Sequence, residues 1–241
     1  MRTMRQQAPQ TPMAAHPWSS LKSPFAVAAL VASAGGLEAL EQVLPRLSED
    51  FPVPLIVLLH RRERLPGSDL LVHHLSRFSH LPIVQAKAGE KLRHGTIYAA
   101  PPNRHLRFGS GGRMLLSEAA GVRQIRPSAD VLFESLAEQF GSACIAAVLS
   151  GSLHDGAIGV VKIKASGGMV LVQDPATAFS AGMPNAAIAT GCADFVLPPR
   201  HIADALVTLT MVPGASSLFS APAPGWARVP VPRDALGTRS S

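Results

Sequence analysis

The sequence predicts an α/β fold: a doubly wound, mostly parallel sheet with helices on both faces and a small antiparallel hairpin insertion. Three observations carry this. Short apolar runs alternate with helical segments, which is the pattern of βαβ units. The Gly109-Ser110-Gly111-Gly112 stretch between two short extended pieces is a hairpin signal. The 241 residues are 47% hydrophobic and 16% charged, enough apolar material for one sizeable core.

Along the chain, Phe25-Ala-Val-Ala-Ala-Leu-Val-Ala32 reads as a buried strand over 26–32, followed by a helix over 37–47. A strand over 55–59 and a helix over 68–78 repeat the unit. Residues 83–116 then change to short extended pieces at 83–86, 95–99, 105–108 and 113–116, punctuated by Gly and Pro and read as an antiparallel insertion or edge. A helix over 129–140, a strand over 144–149 and a helix over 157–166 follow. The remaining elements are a strand over 169–173, a helix over 184–190, a strand over 195–197 and a helix over 202–211. Right-handed crossovers then favour one sheet covered on both faces. The domain is expected to occupy 23–212, between a flexible N-terminal tail (1–22) and a flexible Pro/Ser/Ala-rich C-terminal tail (213–241), because those flanks lack periodicity.

Composition also excludes function classes. The net charge of +6 comes from scattered basic residues, and only 5% of the chain is aromatic, so a connected phosphate-tracking surface with stacking rings is not indicated and no nucleic-acid partner is expected. No apolar run has membrane-spanning length, so no membrane insertion is expected, and no secretory signal stands out near Met1. Cys144 and Cys192 lie in apolar surroundings without zinc or redox spacing, which fits free thiols and a cytoplasmic location. No metal or other cofactor is implied. His73, His74 and His80 lie on or beside one helix, but adjacent histidines point to different sides and make a poor metal pair.

Active sites of open α/β sheets lie beyond the carboxyl ends of the strands. Three reactive side chains follow strands directly: Ser33 after the first, His60 after the second, and Asp155 in the loop Ser150-Gly-Ser-Leu-His-Asp-Gly156. Serine, histidine and aspartate at one sheet edge supply a nucleophile, a base to take its proton, and a carboxylate to orient the base. Each residue also has a plain structural reading. Ser33 could cap the following helix, His60 could be a solvent-facing strand end, and Asp155 could cap the helix near Ala157. His154 competes with His60 as the base. The Ala34-Gly35-Gly36 turn could instead cradle a phosphate, although it lacks both GxGxxG and a Walker motif. Glu38 reads as a first-turn helix acid.

Several ordered segments resemble the catalytic domain of the chemotaxis protein-glutamate methylesterases, over about 25–206. They are Ala32-Ser-Ala-Gly-Gly36, Val57-Leu-Leu-His60, Ala88-Gly-Glu-Lys-Leu-Arg-His-Gly-Thr-Ile-Tyr-Ala-Ala-Pro-Pro-Asn-Arg-His-Leu106, Arg126-Pro-Ser-Ala-Asp-Val-Leu-Phe133, Leu149-Ser-Gly-Ser-Leu-His-Asp-Gly156, Gln173-Asp174 and Gly182-Met-Pro-Asn-Ala-Ala-Ile188. The resemblance implies a serine esterase that demethylates receptor glutamates and often deamidates glutamines. It implies a triad of Ser33, His60 and Asp155, and an oxyanion hole near Ala34, Gly35 and Ser152. The implied partner is a methylated chemoreceptor-like protein, reached by association with membrane-bound receptor arrays.

The chain departs from the family pattern at Ala34, where Thr is usual, and at both neighbours of His60. It also departs at Leu153, where glycine is usual. Family members typically carry a receiver domain before this unit. Here only residues 1–22 precede it, so a stand-alone enzyme, open or governed by a separate regulatory protein, is expected. A weakened, adaptor-like member of a chemosensory system is the alternative.

Overall fold

Apolar runs with no polar face are stable only between two layers of helix. The computed structural model, which describes residues 23–61, 70–118 and 125–228, places them there. The strands are β1 (Val27–Ala32), β2 (Leu55–Leu59), β3 (Ile83–Gln85), β4 (Ile97–Ala99), β5 (His105–Gly109), β6 (Arg113–Ser117), β7 (Cys144–Val148), β8 (Met169–Gln173) and β9 (Phe195–Leu197). Seven of them form one sheet in the order β3-β4-β2-β1-β7-β8-β9, with every pairing parallel. The chain departs from β1 toward one edge and later returns on its other side, so β1 sits at the topological switch point.

The helices are α1 (Gly36–Val43), α2 (Leu70–Leu75), α3 (Ala129–Phe140), α4 (Ala157–Ala165), α5 (Gly182–Ala189), α6 (Pro199–Met211) and α7 (Ala215–Phe219). Alternation along β1 divides the core in two. Ala28, Leu30 and Ala32 meet Leu40 and Val43 of α1, Leu75 of α2 and Leu206 of α6. Val27, Ala29 and Val31 face the opposite layer, with Phe133 of α3, Val160 of α4 and Ala187 of α5. The β5–β6 hairpin packs on that second layer, its Phe108 ring edge-on to Phe140 of α3 at 5.5 Å.

The structure differs from the sequence expectation in particular places. β3 and β4 are parallel members of the main sheet, so only β5 and β6 form the antiparallel insertion. Three-residue strands show too little periodicity to reveal their partners. α1 ends at Val43 and tightens into a 3-10 turn at Leu44–Arg46, where Pro45 removes a helical N–H. Residues 68 and 69 of the expected second helix lie outside the described residues, and α2 relaxes into turns after Leu75. α6 begins at Pro199, suited to a first helical position where its missing N–H costs nothing.

Order also continues beyond residue 212, against the expected tail boundary. Ala215 is buried, and the Phe219 ring of α7 lies 5.9 Å from Phe195. Isolated apolar anchors among Ser, Pro and Ala carry no periodic signal. The segment is further tied by Asp194, whose carboxylate accepts the Ala221 N–H at 2.9 Å and pairs with the buried Lys164 ammonium. The expected tails at 1–22 and beyond 228 lie outside the described residues.

Candidate active site

The register of the central strands assembles the site. Ala32 is opposite Leu59 and Val31 is opposite Val148, so Ser33, His60 and Ser150 emerge side by side at the carboxyl edge. Backbone bonds fix this: His60 N–H donates to Ala32 at 2.9 Å, and Ser33 N–H donates to the Ser150 carbonyl at 2.9 Å.

Ser33 does not cap α1. The N-cap is Gly35, at φ 71° and without a side-chain cap, and the serine stands two residues ahead of that cap on a tight turn closed by Gly36 N–H to the Ser33 carbonyl. Glycine is required twice here. Gly35 adopts a left-handed conformation, and a Cβ on Gly36 would lie 2.4 Å from that of Ala32, so only glycine lets α1 leave so close to its strand. Glu38 lies in the first turn of α1, as the sequence suggested.

His60 and Asp155 are brought together. The His60 Nε2 and Asp155 Oδ2 atoms are 2.9 Å apart, with side-chain exposures of 12% and 5%. An ionised carboxylate can only accept, so His60 carries its hydrogen on Nε2 and leaves a basic lone pair on Nδ1. His154 is exposed, and it is His60 that pairs with Asp155.

Asp155 does not cap its own helix either. Its carboxylate reaches the start of α3, taking the Ala129 N–H at 2.6 Å, the Asp130 N–H at 3.2 Å and the Ser128 hydroxyl at 2.9 Å. Burial works against its charged form, but the hydrogen bond from His60, the Ala129 amide, the attraction of the His60 ring when it is protonated and the Ser128 hydroxyl together outweigh it. They hold the carboxyl below its ordinary value. The positive end of α3 thus keeps Asp155 ionised beside the imidazole.

The third contact of a triad is not formed: among the described residues the Ser33 hydroxyl has no hydrogen-bond partner. Such contacts often tighten only with substrate. The proposed oxyanion donors divide clearly. The Ser33 and Gly36 amides are engaged, whereas those of Ala34, Gly35 and Ser152 are free among the described residues. The Ser152 hydroxyl lies 3.0 Å from that of Ser180.

Two loops wall this edge, joined by Gly151 N–H to Ser180 and Met183 N–H to Gly151. Exposed Leu153 and Phe179 project from them, and the Phe179 Cβ stands 2.3 Å from where a Gly35 Cβ would be. Leu153 has φ 65°, in the left-handed region that favours glycine, the residue expected there from the family pattern. Arg61 donates to the Ala100 carbonyl at 3.1 Å, directed along the sheet edge toward β4.

Sequence reasoning missed Ser128 and Ser150 as supports. Ser128 was visible as a serine before a helix, and it does cap α3 by accepting the Val131 N–H. Its second bond, to Asp155, joins positions 27 residues apart and left no local signal. No group of three His, Cys, Asp or Glu side chains is placed to hold a metal among the described residues. His74 pairs instead with Glu41.

A family model described as CheB methylesterase matches residues 28–206. The chain is 37% identical over 177 residues to a protein of Leptospira interrogans, covering 73% of this chain and 91% of that one. It is 36% identical to the protein-glutamate methylesterase FrzG of Myxococcus xanthus and 41% identical to a protein-glutamate methylesterase/protein-glutamine glutaminase of Anaeromyxobacter dehalogenans. In each of those two it spans about half the relative's length, 54% and 53%. The crystal structure of the Thermotoga maritima CheB methylesterase catalytic domain superposes with a TM-score of 0.72 at 32% identity, covering 77% of this chain and 99% of that domain. With its parallel sheet, hairpin and strand-end Ser, His and Asp, the chain belongs to the CheB methylesterase family of hydrolases.

Proposed function

We propose that this chain is a serine hydrolase that cleaves glutamate methyl esters, and deamidates glutamines, on a chemoreceptor-like protein. The observation that carries the reading is the His60–Asp155 bond beside the Ser33 turn. Ser33 Oγ attacks the ester carbonyl while His60 Nδ1 takes its proton, and Asp155 stabilises the imidazolium through Nε2–H. Negative charge on the former carbonyl oxygen is met by the free N–H groups of Ala34, Gly35 and Ser152. Collapse breaks the bond to the methoxy group, which leaves as methanol with the proton from His60. Water, deprotonated by His60, then attacks the acyl-enzyme and releases glutamate and Ser33. With glutamine the leaving group is ammonia.

Ser33→Ala tests this directly by methanol release from methylated receptor: the variant is expected to be inactive with its fold intact, and retained turnover would refute the nucleophile. The unbonded Ser33 hydroxyl stands on the side of a non-catalytic adaptor, together with the departures at Ala34, Leu153 and the neighbours of His60. Covalent labelling of Ser33 by a fluorophosphonate, abolished in His60→Ala, decides against that reading.

A further inference from the structure

The two peptides that follow Ser33 are each gripped at the carbonyl by a different partner. In a planar trans peptide the C=O and the next N–H point in opposite directions, so whatever grips the carbonyl also aims the amide. The only cis bond among the described residues is Arg126–Pro127, so the peptides of this turn are trans. The Ser33 carbonyl is taken by Gly36 N–H at 2.9 Å, which aims the Ala34 N–H away from the helix. The Ala34 carbonyl is taken by the Ser150 hydroxyl at 2.7 Å, which aims the Gly35 N–H.

Ser150 is built into this place. It is 1% exposed, and its hydroxyl accepts the Ser180 N–H at 3.0 Å; the Ser180 carbonyl is farther, at 3.3 Å, than that of Ala34. Its own N–H donates to the Gln173 Oε1 at 2.8 Å, and Gln173 in turn donates to the Thr177 carbonyl. One residue therefore fixes the Ser33 amide through its carbonyl and the Ala34 carbonyl through its hydroxyl.

We infer that Ser150 is a positioning residue for the oxyanion hole, holding the Gly35 N–H toward the oxygen that becomes negative. The inference rests on the hydrolase reading above. It assigns no proton transfer to Ser150, which acts through the peptide between Ala34 and Gly35.

The test compares a synthetic peptide carrying a glutamate γ-methyl ester with its thionoester counterpart, in which sulfur replaces the carbonyl oxygen and accepts hydrogen bonds weakly. A working hole favours the oxygen ester. Ser150→Ala is expected to lower kcat by about tenfold to a hundredfold, a fraction of the loss of a whole donor, with KM little changed and the oxygen-to-sulfur rate ratio falling. Ser150→Thr, which keeps the hydroxyl, should restore the ratio. Disordering of the loop alone would slow both substrates alike, and an unchanged ratio in Ser150→Ala overturns the inference. If that variant does not fold, Ser150→Cys, similar in shape but a weaker donor, is judged by the same ratio. Activity retained in Ser33→Ala sinks the hydrolase reading itself, whereas inactive Ser33→Ala with a wild-type ratio in Ser150→Ala sinks only the role of Ser150.

Discussion

His60 and Asp155 are 95 residues apart in the chain and 2.9 Å apart in the fold, and the carboxylate that meets the imidazole is also bonded to the first turn of α3. Asp155→Asn keeps the shape but can present an amide to Nε2, favouring the tautomer with no lone pair toward Ser33. Its kcat should fall by about a thousandfold or more. Combining it with Ser33→Ala should cost nothing further, because the members act as a unit. Additive losses measured by methanol release would contradict this.

The same carboxylate couples stability to acid. Its folded-state pKa is depressed, so its contribution is present above the unfolded value and is lost as pH falls through the folded value. Urea unfolding of wild type and Asp155→Asn between pH 2 and 7 should show the wild-type advantage constant at neutral pH and disappearing only below about pH 4, the ordinary carboxylate range.

Leu153 holds a left-handed backbone at 64% exposure, where its side chain gains little by burial. A non-glycine residue there costs about 1–2 kcal/mol, and glycine returns roughly 0.5–1 kcal/mol of that through unfolded-state entropy. Leu153→Gly is therefore expected to stabilise the domain by up to about 1 kcal/mol, read from denaturant midpoints.

Lys164 and Asp194 form a fully buried ion pair at the end of the sheet away from Ser33. Lys164→Met should destabilise the protein by about 3–5 kcal/mol, because Asp194 keeps its Val170 and Ala221 amides but loses its counter-charge. The folded fraction should still label at Ser33 with a fluorophosphonate.

Burial pushes the Cys144 thiol up to about 12, and Cys192 is raised for the same reason. Thiolate is the reactive form, so both should resist iodoacetamide at pH 8 in the native state and react on unfolding. Mass spectrometry at increasing urea checks this.

The sheet, and the placement of Ser33, His60 and the Asp155 loop at one of its edges, were legible because buried strands are long apolar runs whose ends mark that edge. The supports were not. Asp155 looked like a cap for α4 because Asp-Gly is a local turn signal, yet its bonds go to Ser128, Ala129 and Asp130, set by how α3 and α4 pack. The role of Ser150 emerges only when β1 and β7 lie in register. Leu153 was legible as a departure from a pattern, while its φ of 65° needed the loop itself. Phe219 and Ala221 were lost among small residues because single long-range anchors leave no period.

The carboxylate of Asp155 joins the strand-end edge to the helix layer: it bonds His60 at the end of β2 and Ser128, Ala129 and Asp130 at the start of α3. Helix α3 therefore cannot shift along the sheet without breaking at least one of these bonds, and the packing of that layer sets where the imidazole is held.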